Sequence, residues 1–494
     1  MLFNSYEFIF VFLPLTFFIY FYLNQKKLTE ASKGFLVFSS LFFYSWWNIA
    51  YLPLILSSML FNYVIGNVLA KHRHEDRAKN ISTQISRKSI LAIGIIANIG
   101  LLGYFKYSDF LIENINYTLS SDVPLLDLAL PLAISFFTFQ QIAYLVDSYR
   151  RETTEYDFLN YAVFVSFFPQ LIAGPIVHHK EMMPQFADIR TKVINYKNIS
   201  LGLFIFSIGL FKKVVIADSF SVWANAGFDT ASTLNLFEAW ATSLSYTFQL
   251  YFDFSGYTDM AIGTALLFNI KLPINFYSPY KATNIQNFWR RWHITLSRFL
   301  RDYVYIPLGG NRNGNFQTYN NLMATFILGG IWHGAGWTFV FWGFLHGMAL
   351  VIFRLWNQLG LKLWTWLAWV ITFNFINITW VFFRAEEWGD AVKVLKGMIG
   401  LSGVIFNEKI EKYLGFLAPF DFLSFGTITT HIGDGATVLN WILSGFFVIL
   451  CTKNSIEKLE KFEPKKTSVL LMVFLFIVSI LMLNRESEFL YFNF

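Results

Sequence analysis

The sequence predicts an all-α polytopic membrane protein. Its 494 residues are 55% hydrophobic and only 14% charged, and the mean hydropathy is +0.46. Apolar runs recur along the chain at about the 20 residues that a helix needs to cross the hydrocarbon core. The 58 Phe, 24 Tyr and 16 Trp suit lipid-facing surfaces and interfacial belts, so aromatic clusters alone indicate no ligand. We expect about ten to eleven transmembrane helices, with re-entrant and interfacial amphipathic helices among them.

The positive-inside rule predicts on which side of the membrane each loop between the apolar runs lies. The first span covers 6–24. Residues 34–69 make two crossings that turn near Trp46 and Trp47, and basic segments on both sides of this pair mark the cytoplasm. The N-terminus is therefore predicted outside, and the C-terminus as well. The other predicted spans are 90–108, 124–147, 200–218, 234–268, 362–383, 433–452 and 467–484.

Two further apolar regions are predicted to enter the membrane without a simple crossing. The run 156–177 is interrupted by Pro169 and has basic segments on both sides, so it should dip and return. Runs 317–331 and 337–358 both end on basic flanks, which predicts two half-helices meeting inside the membrane.

Loops and domain organisation follow from the same reading. The loop 219–233 has no Lys or Arg and is predicted outside, and 384–432 is a long segment of mixed charge. The chain is interpreted as a single integral membrane domain over 1–494. Its N-terminal helices, core motifs and C-terminal helices are assigned to 1–235, 236–360 and 361–494.

Charge and cysteine content exclude several function classes. The net charge is +6, but Lys and Arg lie mainly in the loops between apolar runs, where topology and anionic lipid explain them. We therefore expect these basic residues to contact anionic lipids of the bilayer, and we expect no nucleic-acid partner. Cys451 is the only cysteine, which excludes an internal disulfide and a cysteine-rich metal site. No metal and no permanently bound cofactor are predicted.

His333 is the leading candidate for a functional residue. It lies between the apolar runs 317–331 and 337–358, at the apex predicted to be deepest in the membrane. An ionisable side chain at that depth is costly, so by default it marks a functional site. Small residues on both sides are predicted to leave room for a substrate beside the imidazole. These residues are Gly329, Gly330, Gly334 and Gly336.

The segment 286–302 is predicted to form one amphipathic helix. At about 100° per residue, four arginines fall on one face and six apolar side chains on the other. One interpretation is an interfacial helix with guanidinium groups at lipid headgroups. The other is an anion platform that binds phosphate. His293 lies between the faces, and the pattern alone favours an ordinary interfacial histidine over a site residue. The arginines are Arg290, Arg291, Arg298 and Arg301.

Polar residues also lie inside the long apolar region 234–268. Tyr251, Asp253 and Asp259 need buried partners, which predicts a polar network. The pattern favours a role in holding helices together over catalysis, and both remain open. The dipeptide Lys212-Lys213 raises the same question, and snorkelling toward an interface is the favoured answer.

Four segments resemble the membrane-bound O-acyltransferase family, most of all its bacterial alginate O-acetylase and peptidoglycan O-acetyltransferase branch. They are Asp253 to Gly263, Asn287 to Ser297, Arg301 to Arg312 and Trp332-His333-Gly334. The resemblance implies that His333 is catalytic and that His293 matches the family's asparagine-or-histidine position. It also implies a funnel-shaped helical core, a cytosolic entry for acetyl-CoA as acyl donor, and a bacterial inner-membrane location.

The predicted chemistry is acyl transfer from a thioester to a hydroxyl, which needs a base such as a neutral histidine. The arginines of 286–302 would hold the donor's phosphates, and Trp332, Asp253 and Tyr251 are further candidates for substrate contact. A periplasmic acetyltransferase partner protein and an exported polysaccharide are the expected recipients. A serine-hydrolase mechanism is not offered, because the chain has no Gly-x-Ser-x-Gly elbow.

Alternative functions stay open at this point. D-alanyl transfer of the teichoic-acid type resembles the first two motifs, although the segment Pro307 to Arg312 fits polysaccharide acetylation better. A transporter is favoured by re-entrant segments and buried carboxylates, yet it leaves the arginine face unexplained. A structural membrane scaffold is the last alternative.

Overall fold

The computed structural model describes residues 1–75, 86–153, 157–415, 422–484 and 490. This part of the chain is helical throughout apart from loops and one two-stranded sheet, which confirms the all-α prediction. The helices of the first half, α1 to α10, are Glu7–Gln25, Thr29–Ser45, Leu52–Glu75, Arg87–Lys106, Ser108–Leu119, Ile134–Arg150, Phe158–Ser166, Phe168–Leu171, His179–Ala187 and Tyr196–Thr230.

The second half continues with helices α11 to α21 and the strands β1 and β2. The helices are Leu236–Leu267, Ile285–Trp289, Ile294–Leu300, Gly314–His333, Trp337–Gln358, Thr365–Arg384, Trp388–Met398, Glu411–Leu414, Gly435–Cys451, Ser455–Glu460 and Lys466–Leu481. The strands Val404–Asn407 and Leu423–Gly426 pair in parallel, with Val404 opposite Leu423.

Several helices meet the requirements for membrane crossing. Among the described residues, six are long and apolar enough, and two shorter apolar helices follow near the C-terminal end. The chain is therefore a multi-pass membrane protein. The six are Glu7–Gln25, Ile49–Ala70, Arg87–Lys106, Tyr196–Thr230, Trp337–Gln358 and Thr365–Arg384.

Contacts between Cα atoms divide the chain into two compact units. The first comprises Met1–Gly209, Tyr257–Ile274 and Phe462–Phe476, and the second comprises Leu210–Gly256, Asn275–Lys461 and Ile477–Phe494. The assignment of one membrane domain with three sequential parts remains a prediction.

The first unit is held together by aromatic packing and by amide pairs. Phe8 stands at ring-centroid distances of 4.9 Å from Phe3 and 5.7 Å from Phe43, and all three rings are buried. Between α3 and α4, the side-chain amides of Asn62 and Asn98 donate to each other at 3.1 and 2.6 Å. Such polar pairs stabilise helix association in lipid, where apolar surface alone gives little preference.

One predicted span in the first unit has the wrong bounds. The segment 124–147 becomes helical only at Ile134, and α5 lies between it and the preceding predicted span, 90–108. Pro124 and Pro131 lie in the non-helical stretch, and a proline has no backbone N–H to give to a helix. Helix α6 therefore begins after the second proline.

The interrupted run 156–177 forms two short helices, α7 and α8, followed by an irregular stretch. The predicted interruption is thus present in the described part of this run. A Cβ atom at Gly174 would lie 2.4 Å from the Cα of Gln170, so the chain can turn tightly here only with glycine. That the run dips and returns stays a prediction.

The loop predicted over 219–233 in the second unit is wrong. This segment is mostly helical, because α10 continues to Thr230 through π-helical turns at Lys212–Ala217 and Ala226–Thr230. The described residues of the mixed-charge segment 384–432 contain α17 and the β1–β2 pair.

The two predicted half-helices are also corrected. Helices α14 and α15 have 20 and 22 residues, and α15 meets the requirements for a full crossing. They pack closely through glycine, because a Cβ atom at Gly330 would lie 2.3 Å from the carbonyl oxygen of Phe339 and 3.2 Å from the Cα of Gly343. Small residues let helix backbones approach in this way. The pair is a tight helical hairpin with His333 at its turn.

Candidate functional site

His333 is the last residue of α14, and its side chain is enclosed by aromatic rings. The imidazole lies at ring-centroid distances of 5.1 Å from Trp342 and 5.0 Å from Phe383, and it is 4.9 Å from Trp332. The residue is only 4% exposed. This histidine is therefore buried within the protein, and the aromatic surround excludes water from its ring.

The glycines around His333 do not all leave open space. A Cβ atom at Gly334 would lie 2.2 Å from the ring of Phe339, and Gly330 lies against the backbone of α15. These two positions are filled by protein, so they serve helix packing and the turn. Gly329 and Gly336 are less crowded, with nearest atoms at 3.2 and 3.6 Å.

The segment 286–302 is not one helix, which corrects the prediction. Helix α12 ends at Trp289 and α13 begins at Ile294, and the turn between them contains His293 in a left-handed conformation with φ of 41°. Tertiary contacts outweigh helical periodicity here, because the backbone carbonyl of Asn275 accepts from the Ile294 N–H at 3.0 Å. The six apolar side chains are all buried, as their pattern predicts: Phe288, Trp289, Trp292, Leu296, Phe299 and Leu300.

The four arginines consequently do not form one helical face. Arg290 and Arg301 are exposed, and Arg291 and Arg298 are half-buried. Arg301 pairs with the neighbouring Asp302 at 2.9 Å, and Arg291 donates to the carbonyl oxygen of Tyr277 at 3.4 Å. Arg290 and Arg301 are the two arginines whose exposure suits an anionic ligand.

His293 is fully buried, so the interpretation as an ordinary interfacial histidine is wrong. Its Nδ1 lies 3.1 Å from the side-chain oxygen of Asn275, and its ring packs edge-on against Phe254 at 4.8 Å. Burial lowers the pKa of His293 from 6.5 to about 3, so the ring is neutral at physiological pH. The indole of Trp332 lies 6.3 Å from the ring of His293 and also contacts His333. The structure thus brings both predicted histidines to one tryptophan.

The buried lysine and carboxylates form an ion cluster. Lys213 Nζ lies 2.6 Å from Asp253 and 2.8 Å from Asp218, and all three side chains are at most 5% exposed. Lys212 is also buried and donates to Ser455 at 3.1 Å. The prediction that these lysines snorkel is wrong, because they are buried with polar partners within the protein. The contacts of Asp253 favour a role in holding α10 against α11.

Tyr251 lies beside this cluster with its ring 5.9 Å from Lys212 Nζ and 6.3 Å from the ring of Trp292. Tyr251 therefore connects the buried lysine region to the aromatic residues around His293.

Asp259 belongs to the first unit and is also buried.

His346 was missed by the sequence analysis. It lies in α15, is fully buried, and its ring stands 4.7 Å from Trp342, which also contacts His333. Its Nδ1 accepts from the indole N–H of Trp289 at 3.2 Å, and its Nε2 lies 3.1 Å from the hydroxyl of Thr379. The rule that identified His333, an ionisable group within an apolar run, applies equally to His346.

Metal chemistry has no obvious site in the described ranges. Across those residues, no group of three or more His, Cys, Asp or Glu side chains is arranged to hold a metal ion. The side-chain oxygen of Asn275 is the polar group in hydrogen-bond contact with His293, and it can position that imidazole.

Comparison with known proteins agrees with the resemblance of the motifs. Residues 8–385 match the family described as "MBOAT, membrane-bound O-acyltransferase family". The chain is 50% identical to a protein from Helicobacter pylori named "Peptidoglycan O-acetyltransferase", over all of this chain and 98% of that protein. It is 40% identical to "Probable alginate O-acetylase AlgI" from Pseudomonas aeruginosa, over 81% of this chain and 75% of that protein.

A more distant relative covers less of the sequence. "Teichoic acid D-alanyltransferase" from Bacillus subtilis is 28% identical over 52% of this chain and 69% of its own length. The family match spans the segments that contain His293, Trp332 and His333. The chain therefore belongs to the membrane-bound O-acyltransferase family and is a multi-pass membrane O-acyltransferase.

Proposed function

We propose that the protein takes acetyl groups from cytosolic acetyl-CoA and passes them across the bacterial inner membrane for O-acetylation of an exported polysaccharide. The observation that carries this proposal is that the rings of His293 and His333 both contact Trp332. The whole of this chain also matches a relative named for peptidoglycan O-acetylation. Peptidoglycan is the favoured acceptor and alginate the second, in the order of the two identities.

The proposed chemistry uses His333 as the base. The acceptor oxygen forms a bond to the thioester carbonyl carbon, the carbon–sulfur bond breaks, and coenzyme A leaves as a thiolate. The imidazole of His333 takes the proton of the acceptor hydroxyl and returns it to the thiolate, so the ring is unchanged after each turnover. Aromatic rings enclose the imidazole at centroid distances of 5.1 Å for Trp342 and 5.0 Å for Phe383.

Other site residues are proposed to bind the substrates. Arg290 and Arg301 are exposed and suit the phosphates of coenzyme A, since guanidinium groups bind phosphate in a bidentate manner. Trp332 is proposed to pack along the acyl chain or the pantetheine arm, and Tyr251 to border the same region. For Asp253, the ion pair with Lys213 favours positioning helices over direct substrate contact.

The proposed orientation places both termini in the periplasm and the acetyl-CoA entry in the cytosol. It rests on the distribution of basic loops along the chain. The final transfer to sugar is proposed to involve a periplasmic acetyltransferase partner protein, because the donor and the exported polysaccharide are on opposite sides of the membrane.

D-alanyl transfer is the second candidate function. The partial match to a teichoic acid D-alanyltransferase supports the same type of chemistry with a different acyl group. The lower identity and the shorter coverage make acetyl transfer the better supported proposal.

If the protein were a transporter, substitution of Asp253 or Asp259 would reduce its function more than substitution of His333.

The deciding experiment measures coenzyme A release from acetyl-CoA by purified protein in nanodiscs, with and without a candidate periplasmic partner. We expect His333→Ala to lower the rate by at least about 100-fold, the usual contribution of a positioned base. His431→Ala is the matched control, because its side chain is 42% exposed, pairs with Glu238 and has no part in the proposed chemistry. Size-exclusion profiles show whether the variants remain folded.

Equal release by wild type and His333→Ala would contradict the proposed base. Release that occurs with D-alanyl thioesters and not with acetyl-CoA would favour the second candidate. Loss of activity in His431→Ala as large as in His333→Ala would show that histidine loss acts through folding.

A further inference from the structure

The hydrogen bonds of Asn275 determine which of its side-chain atoms faces His293. One side-chain atom of Asn275 lies 3.2 Å from the backbone N–H of Thr295 and 2.9 Å from the Thr295 hydroxyl. A backbone N–H can only donate, so this atom must be the amide oxygen and not the nitrogen. The same oxygen lies 3.1 Å from His293 Nδ1.

The tautomer of His293 follows from this contact. Because the Asn275 oxygen can only accept, His293 Nδ1 must carry the proton and donate. In the neutral ring the lone pair is then on Nε2. That atom is buried and makes no hydrogen bond to any residue in the described ranges.

His346 provides the contrast. Its Nδ1 accepts from the indole N–H of Trp289, so its Nε2 carries the proton and donates to Thr379. The Thr379 hydroxyl in turn donates to the carbonyl oxygen of Ile376 at 2.9 Å. Both nitrogens of His346 are therefore used within the protein, whereas His293 keeps an acceptor atom that the surrounding side chains do not use.

The backbone around Asn275 holds the turn in the same place. The Asn275 carbonyl accepts from the Ile294 N–H at 3.0 Å, and the Tyr277 N–H donates to the Arg291 carbonyl at 3.0 Å. These two bonds flank His293, whose left-handed conformation is uncommon for a residue with a side chain. The segment 275–277 thus fixes both the position of the ring and its orientation.

We propose that Asn275 is a positioning residue that keeps His293 in the tautomer with a proton on Nδ1, so that Nε2 accepts a hydrogen bond from an N–H or O–H group of the substrate. This inference rests on the proposed function, in which His293 belongs to the acyl-transfer site. The aromatic side chains that pack against the ring, Phe254 and Trp332, carry no charge, and the amide of Asn275 is the polar group that directs it.

The test compares Asn275→Ala with Asn275→Asp in the coenzyme A release assay from pH 5.5 to 8.5. Alanine removes the acceptor, and we expect kcat to fall by about 10-fold, the effect of one buried hydrogen bond, with little change in KM. Aspartate keeps an acceptor for Nδ1–H and favours the charged ring. It should therefore restore much of kcat at pH 8 and lose it on acidification at a higher pH than wild type.

Asn377→Ala is the matched control, since Asn377 is a buried asparagine that bonds Thr247 and Ser243 within the same unit. It should lower thermal stability without changing the shape of the pH profile. As a second measurement, ¹⁵N spectra of histidine-labelled protein, assigned by difference with His293→Asn, should show a protonated Nδ1 in wild type and a mixed ring in Asn275→Ala.

Two results would overturn the inference while leaving the proposed function intact. One is an Asn275→Ala variant with wild-type kcat and an unchanged ring spectrum. The other is an Asn275→Asp variant that is less active than Asn275→Ala at pH 8 although both remain folded. Failure of the proposed function looks different, because His333→Ala and His293→Asn would then both retain full acetyl-transfer activity.

Discussion

Replacing Lys213 with methionine should be one of the most destabilising single changes in the second unit. Lys213 is 3% exposed and bonds two carboxylates, Asp218 and Asp253, at 2.8 and 2.6 Å. Removing one partner of a buried ion pair typically costs about 3–5 kcal/mol, because the remaining charge is left without compensation. Here two carboxylates lose the same lysine, so we expect a loss of about 5 kcal/mol.

The charge balance of the cluster predicts an order among variants. Asp253→Asn leaves Lys213 with Asp218, which is a balanced pair, so it should cost about 1–3 kcal/mol. Lys180→Met removes a lysine that pairs with Glu152 near the surface, and an exposed pair contributes about 0–1 kcal/mol. The expected order of destabilisation is therefore Lys213→Met, Asp253→Asn and Lys180→Met.

Thermal unfolding in detergent, followed by tryptophan fluorescence and by size-exclusion chromatography, measures this order. An unchanged unfolding temperature for Lys213→Met would contradict the expected order of destabilisation, as would a larger loss for Asp253→Asn. If Asp253→Asn unfolds like wild type and yet has no transferase activity, Asp253 contacts the substrate and the structural role is wrong.

Glycine packing, the burial of His293 and the exposed arginines can each be tested by substitution. Gly330→Val should destabilise the helical hairpin by about 1–3 kcal/mol and abolish activity, because a Cβ atom there overlaps backbone atoms. Gly100 has open space around it, so the control variant Gly100→Ala should unfold at or above the wild-type temperature. The pKa of His293 is lowered to about 3 in the folded protein, so below pH 6.5 the unfolded chain binds a proton at this histidine that the folded chain does not. The free energy of unfolding should therefore fall by up to about 1.4 kcal/mol per pH unit between pH 6.5 and pH 3. In thermal scans, His293→Asn should lose this pH dependence. The paired change Arg290→Ala and Arg301→Ala should raise the KM for acetyl-CoA and leave kcat unchanged in steady-state assays, and an unchanged KM would show that these arginines face lipid.

Local sequence patterns predicted a large part of the fold. The first span, the turn near Trp46 and Trp47, and the long helix over 234–268 all lie where hydropathy placed them. The errors are at boundaries where another rule outweighs hydropathy. Pro124 and Pro131 delay the start of α6, and α10 continues to Thr230 through the segment predicted to be a loop.

The candidate site was likewise predicted only in part from the sequence. His333 could be identified because one ionisable residue between two apolar runs is visible in the sequence itself. The arginine face could not be judged from periodicity, because a helical wheel assumes an unbroken helix and the chain turns at His293. His346 was overlooked although its surroundings resemble those of His333, and only its bonds to Trp289 and Thr379 show that both its nitrogens are engaged.

The amino-acid sequence alone indicates that this is a helical membrane protein, where most of its helices lie, and that His333 is the residue to test. Those properties depend on hydropathy and on motifs within a few turns of chain, so they can be read without knowing the fold. Three features are visible only in the folded chain: the pairing of Lys213 with Asp253, the break between helices at His293, and the contact of both His293 and His333 with Trp332. These depend on contacts between residues distant in sequence, where packing and buried hydrogen bonds outweigh local preference.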